Sequence, residues 1–260
     1  MTSFWPPPEP IPALDGSHGY HRGMAATYQF SFGRPIAIFP LPAVALLPHL
    51  MQRFHIFEPR YRQMVEHVLA AGNGQAEQSD PIAMAVVDPE ASAGGQTQIR
   101  DTVCVGRIVE MHRYPDGRFN ISLHGVCRAQ IDELDQPEGD RLYLRGWLRP
   151  IDTDLNEFPP MPEVRRTVSG LLRNPRLRRL RDSALVREIV AREDVPTTVA
   201  LDLIGYQVLQ DEAIRYQLLS EPDCRVRAQR VTRELQSLDQ LISMVDRQNP
   251  DDWPKGLSWN

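Results

Sequence analysis

The sequence predicts an α+β fold in which short strands carrying one early helix give way to a purely helical C-terminal part. Three observations predict it. Between Ile99 and Pro150 apolar and polar residues alternate, the period of a half-buried strand. Past Ile151-Asp152-Thr153-Asp154 apolar residues recur at roughly every 3.6 positions, the period of an amphipathic helix. At Phe54 to Val65 an apolar strand runs straight into a helix through Pro59, whose fixed φ and missing N–H suit a first helical turn.

In chain order, Pro35 to Leu41 reads as a strand whose flanking prolines point to a sheet edge. After Pro59 a helix places Tyr61, Met64, Val65, Val68 and Leu69 on one face, opposite Arg60, Arg62, Gln63, Glu66 and His67. It stops in Ala71-Gly72-Asn73-Gly74, residues that accept left-handed caps. Ile82 to Val87 reads as a buried strand, and Asp88 to Gln98 with Gly94-Gly95 as a flexible connection. Thr102 to Met111 is a strand with a bulge at Gly106. Tyr114-Pro115-Asp116-Gly117 has turn chemistry, and Phe119, Ile121 and Leu123 return with a buried face, so these segments form a hairpin. Gly125 breaks that run before Cys127, Ala129 and Ile131 resume it, and Leu142, Leu144 and Leu148 supply a further inward row. Such short strands hide their apolar faces by closing into a small antiparallel barrel or by stacking as a sandwich.

The helical part opens near Glu163 and continues over about Ala184 to Arg192. A third helix follows Asp194-Val195-Pro196-Thr197, and a fourth is capped by Asp211. The longest carries Cys224, Ala228, Val231, Leu235, Leu238, Ile242 and Val245 at four-three spacing, a narrow seam suited to a sister helix in the same bundle or to another chain.

The 260 residues suit one large domain or two ordinary ones, and 42% hydrophobic residues suffice for real cores. A net charge of −5 disfavours a general polyanion binder without excluding nucleic acid. Three widely spaced cysteines, Cys104, Cys127 and Cys224, read as buried reduced thiols, which suits the cytoplasm. No apolar run is long enough to span a bilayer, and the proline-rich start has neither the basic nor the apolar region of an export signal.

Catalytic spacings are missing. The sequence holds no phosphate loop ending in Lys-Ser or Lys-Thr, no His-Glu-x-x-His, no Gly-x-Ser-x-Gly and no Cys-x-x-Cys. A Ser-Lys dyad would depend on Lys255, the only lysine, in the C-terminal tail. His112, His124 and Cys127 share the hairpin region, but its turn sets His112 opposite about Ile121 and His124 well along the strand, so neither metal nor cofactor is expected. Two constellations remain. Arg173, Arg176, Arg178, Arg179 and Arg181 form a basic cluster, which is a solvated face or a site for an anionic partner. Phe54, Phe57 and Tyr61, with Arg60 among them, are either core or the wall of a groove for an extended apolar peptide.

These residues resemble the Lon protease N-terminal domain family, in particular its standalone bacterial members, which lack the ATPase and peptidase domains. The resemblance rests on Ile38-Phe39-Pro40-Leu41, on His55-Ile56-Phe57-Glu58-Pro59-Arg60-Tyr61-Arg62-Gln63-Met64 and on Val105-Gly106-Arg107-Ile108. It continues through Pro115-Asp116-Gly117-Arg118-Phe119, Gly125-Val126-Cys127-Arg128 and Gln217 to Asp223 with Arg227-Ala228. It implies a PUA-like small antiparallel β-barrel with one inserted helix over residues 34–152, followed by a C-terminal α-helical bundle over 153–249. Residues 1–33 are then a disordered or loosely docked tail, and 250–260 a second tail. The resemblance also implies a non-enzymatic module in the cytoplasm that binds unfolded or extended polypeptides. Its further partner would be a protease or chaperone, for which it serves as an adaptor in quality control; any peptidase label would reflect ancestry. The alternative is an RNA-binding PUA-like protein using the arginine cluster. Two positions depart from the family: His49 stands where a glycine usually follows Pro48, and Arg53 where a proline usually precedes Phe54, adding a donor and a charge.

Overall fold

The computed structural model describes residues 31–88, 91, 98–152, 160–180 and 182–247. The proline-rich start, the Gly94-Gly95 connection, the segment before Pro160, Arg181 and the C-terminal tail lie outside the described residues. The fold is α+β, and the chain divides into two compact units, Met1–Ile151 and Asp152–Asn260.

The first unit contains β1 (Ile36–Leu41), β2 (Met51–Ile56), α1 (Pro59–Ala71), β3 (Ile82–Val87), β4 (Ile99–Arg113), β5 (Phe119–Asp135) and β6 (Arg145–Pro150). Its sheet runs β2-β5-β4-β3-β1-β6, and β6 returns to pair with β5, which closes a barrel. Every pairing is antiparallel except β1 with β3, which are parallel because β2 and α1 intervene as a crossover. The barrel is filled by Ile36, Ile38, Ala83, Ala85, Val103, Val105, Cys127, Ala129 and Leu148, small residues interleaved with branched ones as a narrow barrel requires.

β5 serves two neighbours. Its first half, Phe119 to His124, pairs with β2, and its second half, Ala129 to Asp135, pairs with β6. Gly125 lies between them, where a Cβ would stand 2.4 Å from the Leu47 carbonyl oxygen and 2.9 Å from Cys104 Sγ. Only glycine lets the incoming loop press so close. The register slips by one residue at Gly106, as its alternation predicts, with the extra residue, Val126, on β5. The Tyr114 to Gly117 turn forms as expected: Gly117 N–H donates to the Tyr114 carbonyl (3.0 Å). Gly117 itself has φ 83°.

Two expectations fail for local reasons. β1 is no edge strand, since β3 and β6 flank it. Ile38 N–H donates to the Leu144 carbonyl at 2.8 Å, so alternation turns the amide position of Pro40 to that same side. The β6 ladder ends at Ala37, so no strand there needs the missing N–H. Leu142 is exposed, because it precedes β6 in a loop, and Tyr143 is buried beside it instead.

The second unit contains α2 (Pro162–Arg173), a 3₁₀ turn at Leu177–Arg179, α3 (Ser183–Ala191), α4 (Thr197–Gln207), α5 (Glu212–Ser220) and α6 (Cys224–Arg247). Asp211 caps α5 by accepting from Ile214 N–H at 2.9 Å. α4 is buried from Thr198 to Gly205 and is the centre of this unit. The α6 seam is buried at Cys224, Ala228, Val231 and Leu235, whereas Leu241 and Val245 in its last turns are exposed.

Candidate functional site

The strand-to-helix junction is built without a loop. Glu58 has an extended backbone (φ −66°, ψ 134°), and its carbonyl accepts from the amides of Tyr61 (3.0 Å) and Arg62 (2.9 Å), which starts α1 at Pro59 with only Phe57 and Glu58 between it and the end of β2 at Ile56. Its carboxylate pairs with Arg60 at 2.9 Å on the surface.

The junction aromatics divide. Phe54 and Tyr61 are buried, and both rings meet Phe39 edge-on, at 5.3 Å and 4.8 Å between centroids. Tyr61 also donates its hydroxyl to the Pro40 carbonyl at 3.2 Å, and burial raises its pKa. Both therefore hold the core. Phe57 turns the other way and is 47% exposed, a large ring offered to solvent. Arg60 is exposed as well, with its guanidinium carbon 5.3 Å from the Tyr61 ring centre.

Around Phe57 the outward face of β2, β5 and β4 gathers residues that the sequence pattern did not place together. The His55 ring stacks on Phe57 at 6.1 Å and meets Tyr114 edge-on at 6.0 Å, while His112 meets Tyr114 at 4.7 Å. His55 Nδ1 lies 2.7 Å from Asn120 Oδ1, and Asn120 donates its amide to the Tyr114 hydroxyl at 2.8 Å. The Arg118 guanidinium lies 5.6 Å from the Tyr114 ring centre and bonds the Asp116 carboxylate at 2.7 Å. That carboxylate sits below its usual pKa because the Arg118 amide also donates to it. The signal was present in the sequence: with Phe119, Ile121 and Leu123 inward, Asn120 had to face out. The register that brings it beside His55 and His112 needed the structure. Rings, hydroxyl and amide side by side make a surface for stacking and hydrogen bonding, and no group on it is an activated nucleophile.

His124 lies further along β5, across from Met51. Burial, with His49 nearby, pushes its pKa down to about 4. His112 pairs across the hairpin with Asn120, one residue from its expected partner, and Cys127 points into the barrel core. Among the described residues no three His, Cys, Asp or Glu side chains are placed to hold a metal.

The described arginines of the second unit's cluster differ in what they contact. Arg176 forms a two-bond fork with Asp239, each bond 2.8 Å, and Arg179 bonds Asp246 at 2.8 Å, so both tie the 3₁₀ turn to α6. Arg178 is exposed, Arg173 lines a cleft of about 230 Å³ between α2 and α3, and Arg181 lies outside the described residues.

The family model for the ATP-dependent protease La (LON) substrate-binding domain matches residues 35–237. The chain is similar to the crystal structure of a Lon N-terminal domain protein from Xanthomonas campestris, with a TM-score of 0.50 and 17% identity over 81% of this chain and 98% of that one. It is also similar to the N-terminal domain of a Mycobacterium avium complex Lon protease, with a TM-score of 0.54 and 18% identity over 81% of this chain and 98% of that one. Identities this low speak to the fold alone. No curated protein matches the chain. The family match covers both units and includes the β2–α1 junction from which Phe57 projects, so the chain belongs to the ATP-dependent protease La (LON) substrate-binding domain family.

Proposed function

We propose that the chain is a non-enzymatic module that captures unfolded or extended polypeptides on the outward face of β2, β4 and β5. It serves as an adaptor to a proteolytic system in the cytoplasm. The observation that carries this reading is the exposed Phe57 ring at the edge of the His55, Tyr114 and His112 patch. Large aromatic rings beside satisfied polar groups are what binding surfaces use to gain area without specificity for one sequence. Membership in a substrate-binding family supports it.

The roles of the four junction residues differ in this reading. Phe57 and Arg60 touch the bound chain; Phe54 and Tyr61 hold the Phe39 core beneath and keep the junction rigid. Affinity is modest, because an extended chain loses conformational entropy on ordering. The buried thiols Cys104, Cys127 and Cys224 suit a reducing compartment, and no helix among the described residues is long and apolar enough to cross a membrane. The RNA reading loses ground, since Arg176 and Arg179 are committed to carboxylates.

The test is anisotropy titration of the purified chain against a reduced, carboxymethylated model protein and its native, folded form. Binding of the unfolded form alone is expected. No binding to either at high micromolar concentration would sink the proposal.

A further inference from the structure

Among the described residues β2 is bonded on one side only: its sheet partner there is β5, whereas β6 leaves β5 at Ala129 and does not reach it. The side on which each β2 amide points follows from one bond. Gly125 N–H donates to the Leu50 carbonyl at 2.8 Å, and Met51 pairs with His124. In an antiparallel ladder that bond brackets Met51 and His124 as a non-hydrogen-bonded pair. Because the register runs without a shift to Ile56, Gln52, Phe54 and Ile56 exchange bonds with β5. The N–H and C=O groups of Met51, Arg53 and His55 then point the other way, along the open edge. Met51 and Arg53 are exposed, and the same edge leads directly to Phe57.

We infer that the open edge of β2 takes an extended segment of the bound polypeptide as an added strand, bonded to the backbone of Arg53 and His55. This rests on the polypeptide-binding reading and says how the chain is held. The occupant is fixed by the chemistry of the edge: evenly spaced main-chain donors and acceptors are satisfied in register by another extended backbone, whatever its side chains. A binder of unfolded chains needs that tolerance. Alternate side chains of the added strand lie beside Met51, Arg53 and Phe57, so apolar residues at every second position strengthen the contact. The Arg53 side chain is secondary, since its approach to Glu110 is 3.9 Å with both groups largely exposed.

The geometry gives a sharp variant. Proline at position 53 removes an N–H that points to the open edge and sets its ring there, while the bonds from Gln52 and Phe54 to β5 stay in place. Arg53→Pro is expected to weaken binding of a reduced, carboxymethylated model protein by about tenfold or more, and Arg53→Ala to change it by less than about twofold. In the unmodified chain, amide exchange at Arg53 and His55 slows when that protein is added, whereas Gln52, Phe54 and Ile56 are protected beforehand by β5. The exchange result decides even if the proline variant does not fold. Binding with unchanged exchange at Arg53 and His55 would overturn the added strand and leave the polypeptide-binding reading standing; absence of binding would overturn both.

Discussion

His49 has φ 67°, a left-handed conformation that costs an ordinary L-residue about 1–2 kcal/mol. The departure from glycine at this position therefore does not abolish the turn; it keeps the turn under strain, with His49 N–H donating to the Gly125 carbonyl at 2.8 Å. His49→Gly is expected to raise stability by up to about 1 kcal/mol, read as a higher denaturant midpoint with an unchanged slope. An unchanged or lower midpoint would show that the imidazole makes up for the strain. His124 carries the opposite kind of cost. Its ordinary pKa of 6.5 is pushed down to about 4 by burial, so between those values the unfolded chain takes up a proton that the folded chain refuses. Its contribution to stability is complete above 6.5 and is lost as pH falls towards 4. The loss approaches about 3 kcal/mol at roughly 1.4 kcal/mol for each pH unit. Chemical denaturation of the chain and of His124→Gln from pH 7 downward checks this: the variant's curve is expected to fall less steeply below about pH 6.5, and parallel curves would contradict it.

At the scale of the element, single arginines fasten the helical unit. Arg165 on α2 donates to the carbonyls of Val190 (2.8 Å), Arg192 (2.7 Å) and Val195, and to the Thr197 hydroxyl (3.2 Å). One guanidinium thus closes the C-terminal end of α3 and the entry to α4. Arg165→Ala is expected to destabilise the chain by about 2 kcal/mol, and Arg165→Lys to recover little, because a point charge cannot match a planar fork. Thermal melts of the two variants test it; full recovery by lysine would show that charge alone suffices. Elements of this kind are only partly legible in a sequence. The helices, the Asp211 cap and the Tyr114 to Gly117 turn follow from local periodicity and side-chain chemistry, and they form where expected. Arg165 was invisible, since its partners are main-chain carbonyls some thirty residues away. The arginine run after Asn174 is legible only in part for the same reason: its charge is local in sequence, and the carboxylates that pair with Arg176 and Arg179 lie on α6.

For the molecule as a whole, the change from period two to period 3.6 carries the α+β class, because it reflects which faces each element buries. Strand direction leaves no such trace, so the parallel pairing of β1 with β3 and the interior place of β1 came only with the structure. The candidate site lies between these cases. Its aromatics were visible at the junction, yet which of them meet solvent depends on the ring of Phe39, from a strand paired elsewhere, taking up Phe54 and Tyr61. Of the junction aromatics, Phe57 is the ring left outside. The most direct measurement is the affinity for a reduced, carboxymethylated model protein of three chains: unmodified, Phe57→Ala, and Trp147→Ala, an exposed ring on β6. Phe57→Ala is expected to weaken binding by about fivefold or more without lowering the melting temperature, and Trp147→Ala to leave it unchanged; equal affinity of all three chains would contradict the account.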